Sequence, residues 1–291
     1  MVESQSNIGN NVPSSMQQIG ITMKYTFLEY FRSRRFLTLL IITLLIAALL
    51  TILVAWRRPG GFLTSNLAFF SSWWGGTTTF SAISLVIVLS GIFFGGDAIS
   101  GEFQNKTGYF GVPNPIRRSS IYVGKWLSAF FAATAIFLVF TVITVLNEIY
   151  YFGSSGFPSQ FVWSFLFAWF YLAAVMGLTF FFSSLFKSSS ISILVTVILL
   201  LFGFTIIQAV VGTFAGIEPW FVLSYGAGII GNILQSTYPP HQVTVSTVVR
   251  HVTITTTTFA ASVPEGLAII GLYFIITAVL GLMLFERKEF T

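Results

Sequence analysis

Long apolar runs alternate with short charged breaks along this chain, and the run lengths set the architecture. A helix needs roughly 20 apolar residues to cross a hydrocarbon core, and six stretches supply them, at 36–56, 77–96, 126–147, 161–182, 191–211 and 266–285. Ahead of the first, residues 17–35 place Ile19, Met23, Phe27 and Phe31 at every fourth position, with Lys24, Glu29 and Arg32 mostly elsewhere. That period predicts an amphipathic helix lying in the membrane interface, its end pinned to the anionic leaflet by Arg32, Arg34 and Arg35. Residues 1–16, rich in Asn, Ser and Gln, read as disordered. No cleavable signal peptide is expected, because the first long apolar run starts late and is too long. The pair Trp73 and Trp74 suits a water–lipid boundary.

The fifth and sixth runs are separated by a large loop, 212–264. Its part from 218 to 234 is apolar but broken by glycines, and reads as short interfacial or re-entrant helices. The part from 243 to 258 is crowded with Val and Thr and favours extended backbone. The expected fold is therefore an all-α polytopic membrane protein, with residues 17–291 forming one transmembrane domain of six helices.

Composition sharpens this. The chain is 55% hydrophobic and only 8% charged, with a mean hydropathy of +0.87, against about 25% charged in soluble domains. The net charge of +5 does not point to nucleic acid, because the basic residues flank apolar runs instead of forming one face. With the N-terminus inside, inner segments hold eleven Lys and Arg and outer segments three, Arg57, Arg58 and Arg250. By the positive-inside rule this predicts a multi-pass protein of the cell membrane with both termini cytoplasmic and the 212–264 loop outside. The absence of Cys removes disulfides, thiolate metal sites and Cys nucleophiles.

The most informative stretch is 97–125, which holds Asp97, Glu102, Lys106, Arg117, Arg118 and Lys125, six charges in 29 residues. Burying six charges at a bilayer centre would cost roughly 15–20 kcal/mol on insertion scales, so the segment stays at the surface between the second and third spans. An acidic start, Asp97 and Glu102, leads through Thr107 to Pro115, Arg117 and Arg118, then to Lys125 at the head of the next apolar run. In this order and layout the chain resembles the type-2 ABC exporter permeases. That resemblance implies that 97–125 carries a coupling helix docking into a separate ABC ATPase subunit. Asp97, Glu102, Lys106 and Thr107 would belong to the coupling element, with Pro115, Arg117, Arg118 and Lys125 on its return. It also implies a second permease copy or a homologous permease as partner, with ATP and Mg on the ATPase. The run 108–114 is richer in Gly and Pro than the family pattern and leaves the length of the coupling helix open. A plainer account, in which the charges only set topology, covers the basic residues but neither the acidic pair nor Pro115.

Other chemistry is sparse. No phosphate-binding loop occurs, since Gly124-Lys125 is followed by Trp and lacks the upstream Gly, so no cofactor is expected on this chain. His241 and His251 are the only histidines, with no third ligand near in sequence, and read as surface residues. Glu218 and Glu265 read as helix caps, Glu148 as interfacial, and Asn147 and Gln208 as helix-packing groups. Asn105-Lys106-Thr107 is a glycosylation sequon placed on the inner side; its modification would contradict this topology. No ionisable residue falls near the middle of a span, which disfavours a stand-alone channel or secondary transporter and an intramembrane enzyme. Both remain open as alternatives.

Overall fold

The computed structural model describes residues 14–57, 63–75, 81–105, 117–153, 157–249 and 252–288. Helix α1 (Ser15–Arg32) opens on a capping box, in which the Ser14 hydroxyl accepts from Gln17 N–H and the Gln17 side chain accepts from Ser14 N–H. The sequence expectation of disorder to residue 16 therefore gives way at Ser15. Residues 1–13 lie outside the described set. Ser33 ends α1, and α2 (Arg34–Arg57) follows at once.

A short α3 (Asn66–Phe70) runs into a π-helical turn at Ser71–Gly75. Next come α4 (Ala82–Gly95) and, after a turn, α5 (Ser100–Gln104). Helix α6 (Arg118–Phe152) starts well before the predicted third span, because residues 118–125 form its first turns and not a loop. It stops at Gly153, whose positive φ of 77° glycine adopts without a Cβ clash. Helix α7 (Ser159–Leu185) and α8 (Ser189–Val197) follow. The fifth apolar run continues through π-helical turns on either side of α9 (Phe204–Gln208). Then come α10 (Leu223–Ala227), α11 (Ile229–Asn232), the strands β1 (Gln242–Val249) and β2 (Val252–Phe259), and α12 (Val263–Arg287). Six helical stretches among the described residues are long and apolar enough to cross a membrane.

Helices α4 and α7 form the buried centre. α6 and α12 pack against α7, while α2, the α8–α9 stretch and α12 expose most of their apolar surface. Leu45, Leu49, Leu194, Phe202, Ile275 and Val279 all point outward, as lipid-facing side chains must. At the centre, a methyl at Gly91 would meet Val175 and one at Gly95 would overlap the Thr179 hydroxyl. The two glycines, four apart on one face, let α4 approach α7 at backbone distance. Several span hydroxyls bond within their own helices, as Ser90 does to Val86 O at 2.7 Å and Thr144 to Phe140 O at 2.9 Å, and so need no partner in lipid.

Two expectations change here. Trp73 and Trp74 are fully buried against protein and do not face lipid or water. Trp74 packs against Phe137, Phe140 and Phe161, and its indole N–H reaches Ser164 Oγ at 3.1 Å. Aromatic pairing, worth about 0.5–1.5 kcal/mol per pair, and that one bond draw the indole inward. Glu148 is likewise buried, and both of its carboxylate oxygens lack a hydrogen-bond partner among the described residues. The 212–264 segment holds the short helices and the extended backbone that its sequence suggested. Short α10 and α11 are buried against α7 and α12. β1 and β2 pair antiparallel, with Gln242 opposite Phe259 and Val249 opposite Val252.

Candidate functional site

The backbone leaves α4 at Gly95 and turns through residues 96–99 into α5. Ile99, at the cap position of α5, offers no side-chain acceptor, so the first N–H groups of this helix need one from elsewhere. Ser183, in the last turn of α7, supplies it. Its hydroxyl accepts from Ile99 N–H at 2.9 Å and from Ser100 N–H at 3.0 Å. Ser192 on α8 donates to Gly96 O, and Gln104 Oε1 at the far end of α5 accepts from Ser189 N–H at 2.7 Å. The short helix is thus tied to α7 at its start and to α8 at both ends.

Charges tie it to the other side. Arg35, near the start of α2, pairs with Asp97 at 2.6 Å, and Lys125 on α6 pairs with Glu102 at 2.5 Å while donating to Ala98 O at 3.1 Å. Lys125 and Glu102 keep only 16% and 25% of their side-chain surface exposed. Asp97 keeps 12% but Arg35 keeps 52%. A fully exposed pair is worth about 0.2–1 kcal/mol, whereas losing one partner of a shielded, charged hydrogen bond costs on the order of 1.5–3 kcal/mol. The Glu102–Lys125 pair is therefore the stronger of the two. Tyr30 of α1 donates to Phe94 O at 3.1 Å. Burial, and next the Asp97 charge, push its hydroxyl pKa up, so it stays a donor. Between α1 and α5 these groups line a cleft of about 520 Å³, with Glu29, Tyr30, Arg35, Asp97, Glu102 and Lys125 on its walls.

Of the residues singled out in the sequence, Asp97, Glu102 and Lys125 come together here. Arg117 and Arg118 do not join them. Arg117 N–H donates to Gln18 Oε1 at 3.1 Å, joining α6 to α1. The Arg118 guanidinium donates to the carbonyls of Glu286 and Lys288 at 3.1 and 3.0 Å. Lys106, Thr107 and Pro115 lie outside the described residues, as does the 108–114 run.

Sequence reasoning missed Arg35, Ser183, Ser192 and Lys288. Arg35 reads as a leaflet anchor, and nothing in its spacing pairs it with a residue 62 positions away. Ser183 follows the run Phe180-Phe181-Phe182; a serine buried at the end of such a run was the only signal available. Lys288 donates to Ser184 O and Phe186 O at 2.9 and 2.8 Å and sits 4.4 Å above the Phe103 ring, clasping α5 against the ends of α7 and α12.

Comparison with known proteins agrees with a layout of six apolar helices. No curated protein matches the chain. Residues 23–290 match the family described as ABC-2 family transporter protein, and a match over nearly the whole length places this chain in the ABC-2 transporter family.

Proposed function

We propose that this chain is the membrane-spanning permease of an ATP-driven exporter and that a separate ATPase subunit works it by pushing on α5. The observation that carries this reading is the set of ties on that helix. Ser183, Ser192, Arg35 and Lys125 link one five-residue helix and its lead-in turn to α7, α8, α2 and α6. Force applied to α5 therefore displaces four spanning helices together, whereas a turn that only set topology would need no such ties. Two copies, or this chain with a homologous permease, would enclose the pathway, covering some of the apolar surface left open on α2, the α8–α9 stretch or α12. The α5 end would face the cytoplasm. α1, which exposes Ile21, Tyr25 and Leu28 beside Lys24, would lie in that interface.

The test is Glu102→Arg in the full chain, expressed with its ATPase. The variant is expected to insert into the membrane normally but to lose at least tenfold of transport-coupled ATPase activity. The double exchange Glu102→Lys with Lys125→Glu is expected to recover part of it. Undiminished coupling in Glu102→Arg would overturn the assignment.

One observation favours a second reading, a transporter driven by a proton or cation gradient: Glu148 is buried in α6 with no hydrogen-bond partner among the described residues, and such carboxylates mark ion pathways. Transport that persists without ATP and is abolished by Glu148→Gln would select it.

A further inference from the structure

At the end of the molecule away from α5, three residues far apart in sequence converge. Glu218 comes from the segment before α10, His241 from the residue before β1, and Glu265 from the first turn of α12. One potential ligand atom from each lies within 4.8 Å of the other two. Glu265 also accepts from Ser262 N–H at 3.1 Å, completing a capping box, as its sequence position suggested. Glu218 caps no helix; its Oε1 accepts from the Tyr225 hydroxyl at 2.7 Å, leaving Oε2 to face His241 Nε2 at 3.3 Å.

The tautomer of His241 decides what this arrangement can hold. Its Nδ1 lies 3.2 Å from Ala260 O. A carbonyl only accepts, so Nδ1 carries the hydrogen, and whenever the ring is neutral its Nε2 lone pair faces the Glu218 carboxylate. Two acceptors facing each other repel unless a proton or a metal ion sits between them. Glu265 lies in hydrogen-bond contact with Glu218, and the two carboxyl groups share a proton or, in its place, a metal ion. A backbone carbonyl on the far nitrogen is also the usual outer-shell support of a metal-bound imidazole, and the Tyr225 hydroxyl and Ser262 N–H play the same part for the carboxylates.

We infer that Glu218, His241 and Glu265 form a divalent transition-metal site, with zinc as its fitting ion. One imidazole and two carboxylates suit zinc better than calcium or magnesium, which favour oxygen alone. Ligands at ~2.0–2.1 Å around a tetrahedral zinc lie ~3.3 Å apart, the spacing already held between Glu218 and His241. The remaining distances need only side-chain rotations, since all three groups are at least partly exposed. The ion would staple the α10 lead-in, the base of the β-hairpin and the start of α12 to one point, fixing the hairpin against the spanning helices.

The experiment is zinc titration of the full chain purified in detergent after chelator treatment, read by calorimetry and by the shift in thermal unfolding. One zinc per chain is expected, with a rise in unfolding temperature. His241→Ala and Glu265→Gln should each weaken binding at least tenfold and cancel the rise, while His251→Ala should leave both unchanged. No saturable zinc binding, equal loss in His251→Ala, or tighter binding of calcium or magnesium than of zinc would each overturn the site. Glu218→Gln provides a milder check that keeps the Tyr225 contact. Unaltered zinc affinity in this variant would also count against the assignment.

Discussion

Lys288 shows how a single residue binds the charged end of the bundle together and what that costs. Two backbone carbonyls and the Phe103 ring favour its ammonium. Burial, and next the charge of Lys187, outweigh them and push its pKa down from 10.5 to about 8. Between those values the unfolded chain binds the proton that the fold gives up, so folded stability rises as pH climbs from about 8 toward 10.5 and gains nothing further below 8. Lys288→Met is expected to flatten that rise in unfolding temperature, measured in detergent from about pH 7.5 to 10. An unchanged slope would show that another group titrates there. Glu102 and Lys125 teach a related point. From the sequence, Glu102 is placed in the coupling element and Lys125 on its return without being paired, and the partner at 2.5 Å makes the two one joint.

At the scale of elements, the central contact is α4 on α7, and it depends on the absence of side chains. Gly91 and Gly95 face Val175 and Thr179 so closely that any Cβ displaces them. In lipid no hydrophobic effect drives helices together, so close van der Waals packing must. Gly95→Ala is expected to cost about 1–3 kcal/mol, the usual range for overpacking, and to lower the thermal unfolding temperature. Gly20→Ala, where nothing lies within 4 Å of an added methyl, should not lower it. Equal effects in the two variants would mean that helix propensity, not contact, governs both. Because Gly95 leads straight into the Asp97 turn, a shift of α4 against α7 also moves the lead-in to α5, and Ser183 on α7 holds that lead-in from the other side.

For the whole molecule, the open matter is which end faces the cytoplasm, and the natural lack of Cys makes it measurable. Gln104, on α5, and Ser246, on β1, are both exposed at opposite ends of the bundle. Introduced singly as cysteines, they are expected to react with a membrane-impermeant thiol reagent from opposite sides: Ser246→Cys in intact cells, Gln104→Cys only in inverted vesicles. The reverse pattern would place α5 outside, beyond reach of a cytoplasmic ATPase. The eleven-to-three bias of basic residues predicts the first result.

Length and hydropathy alone determined the six-span architecture. A run of about 20 apolar residues must span because lipid leaves its backbone no hydrogen-bond partner other than itself. The same logic located the charged turn, and the Val- and Thr-rich run announced the strands. Tertiary packing decided the rest. That Trp73 and Trp74 turn inward, that residues 118–125 are helix, that Arg35 meets Asp97, and that Glu218, His241 and Glu265 share one point all depend on which helix lies beside which. In a bilayer that choice is made by small residues and shape across contacts distant in sequence, and the local pattern of polar and apolar positions does not carry it.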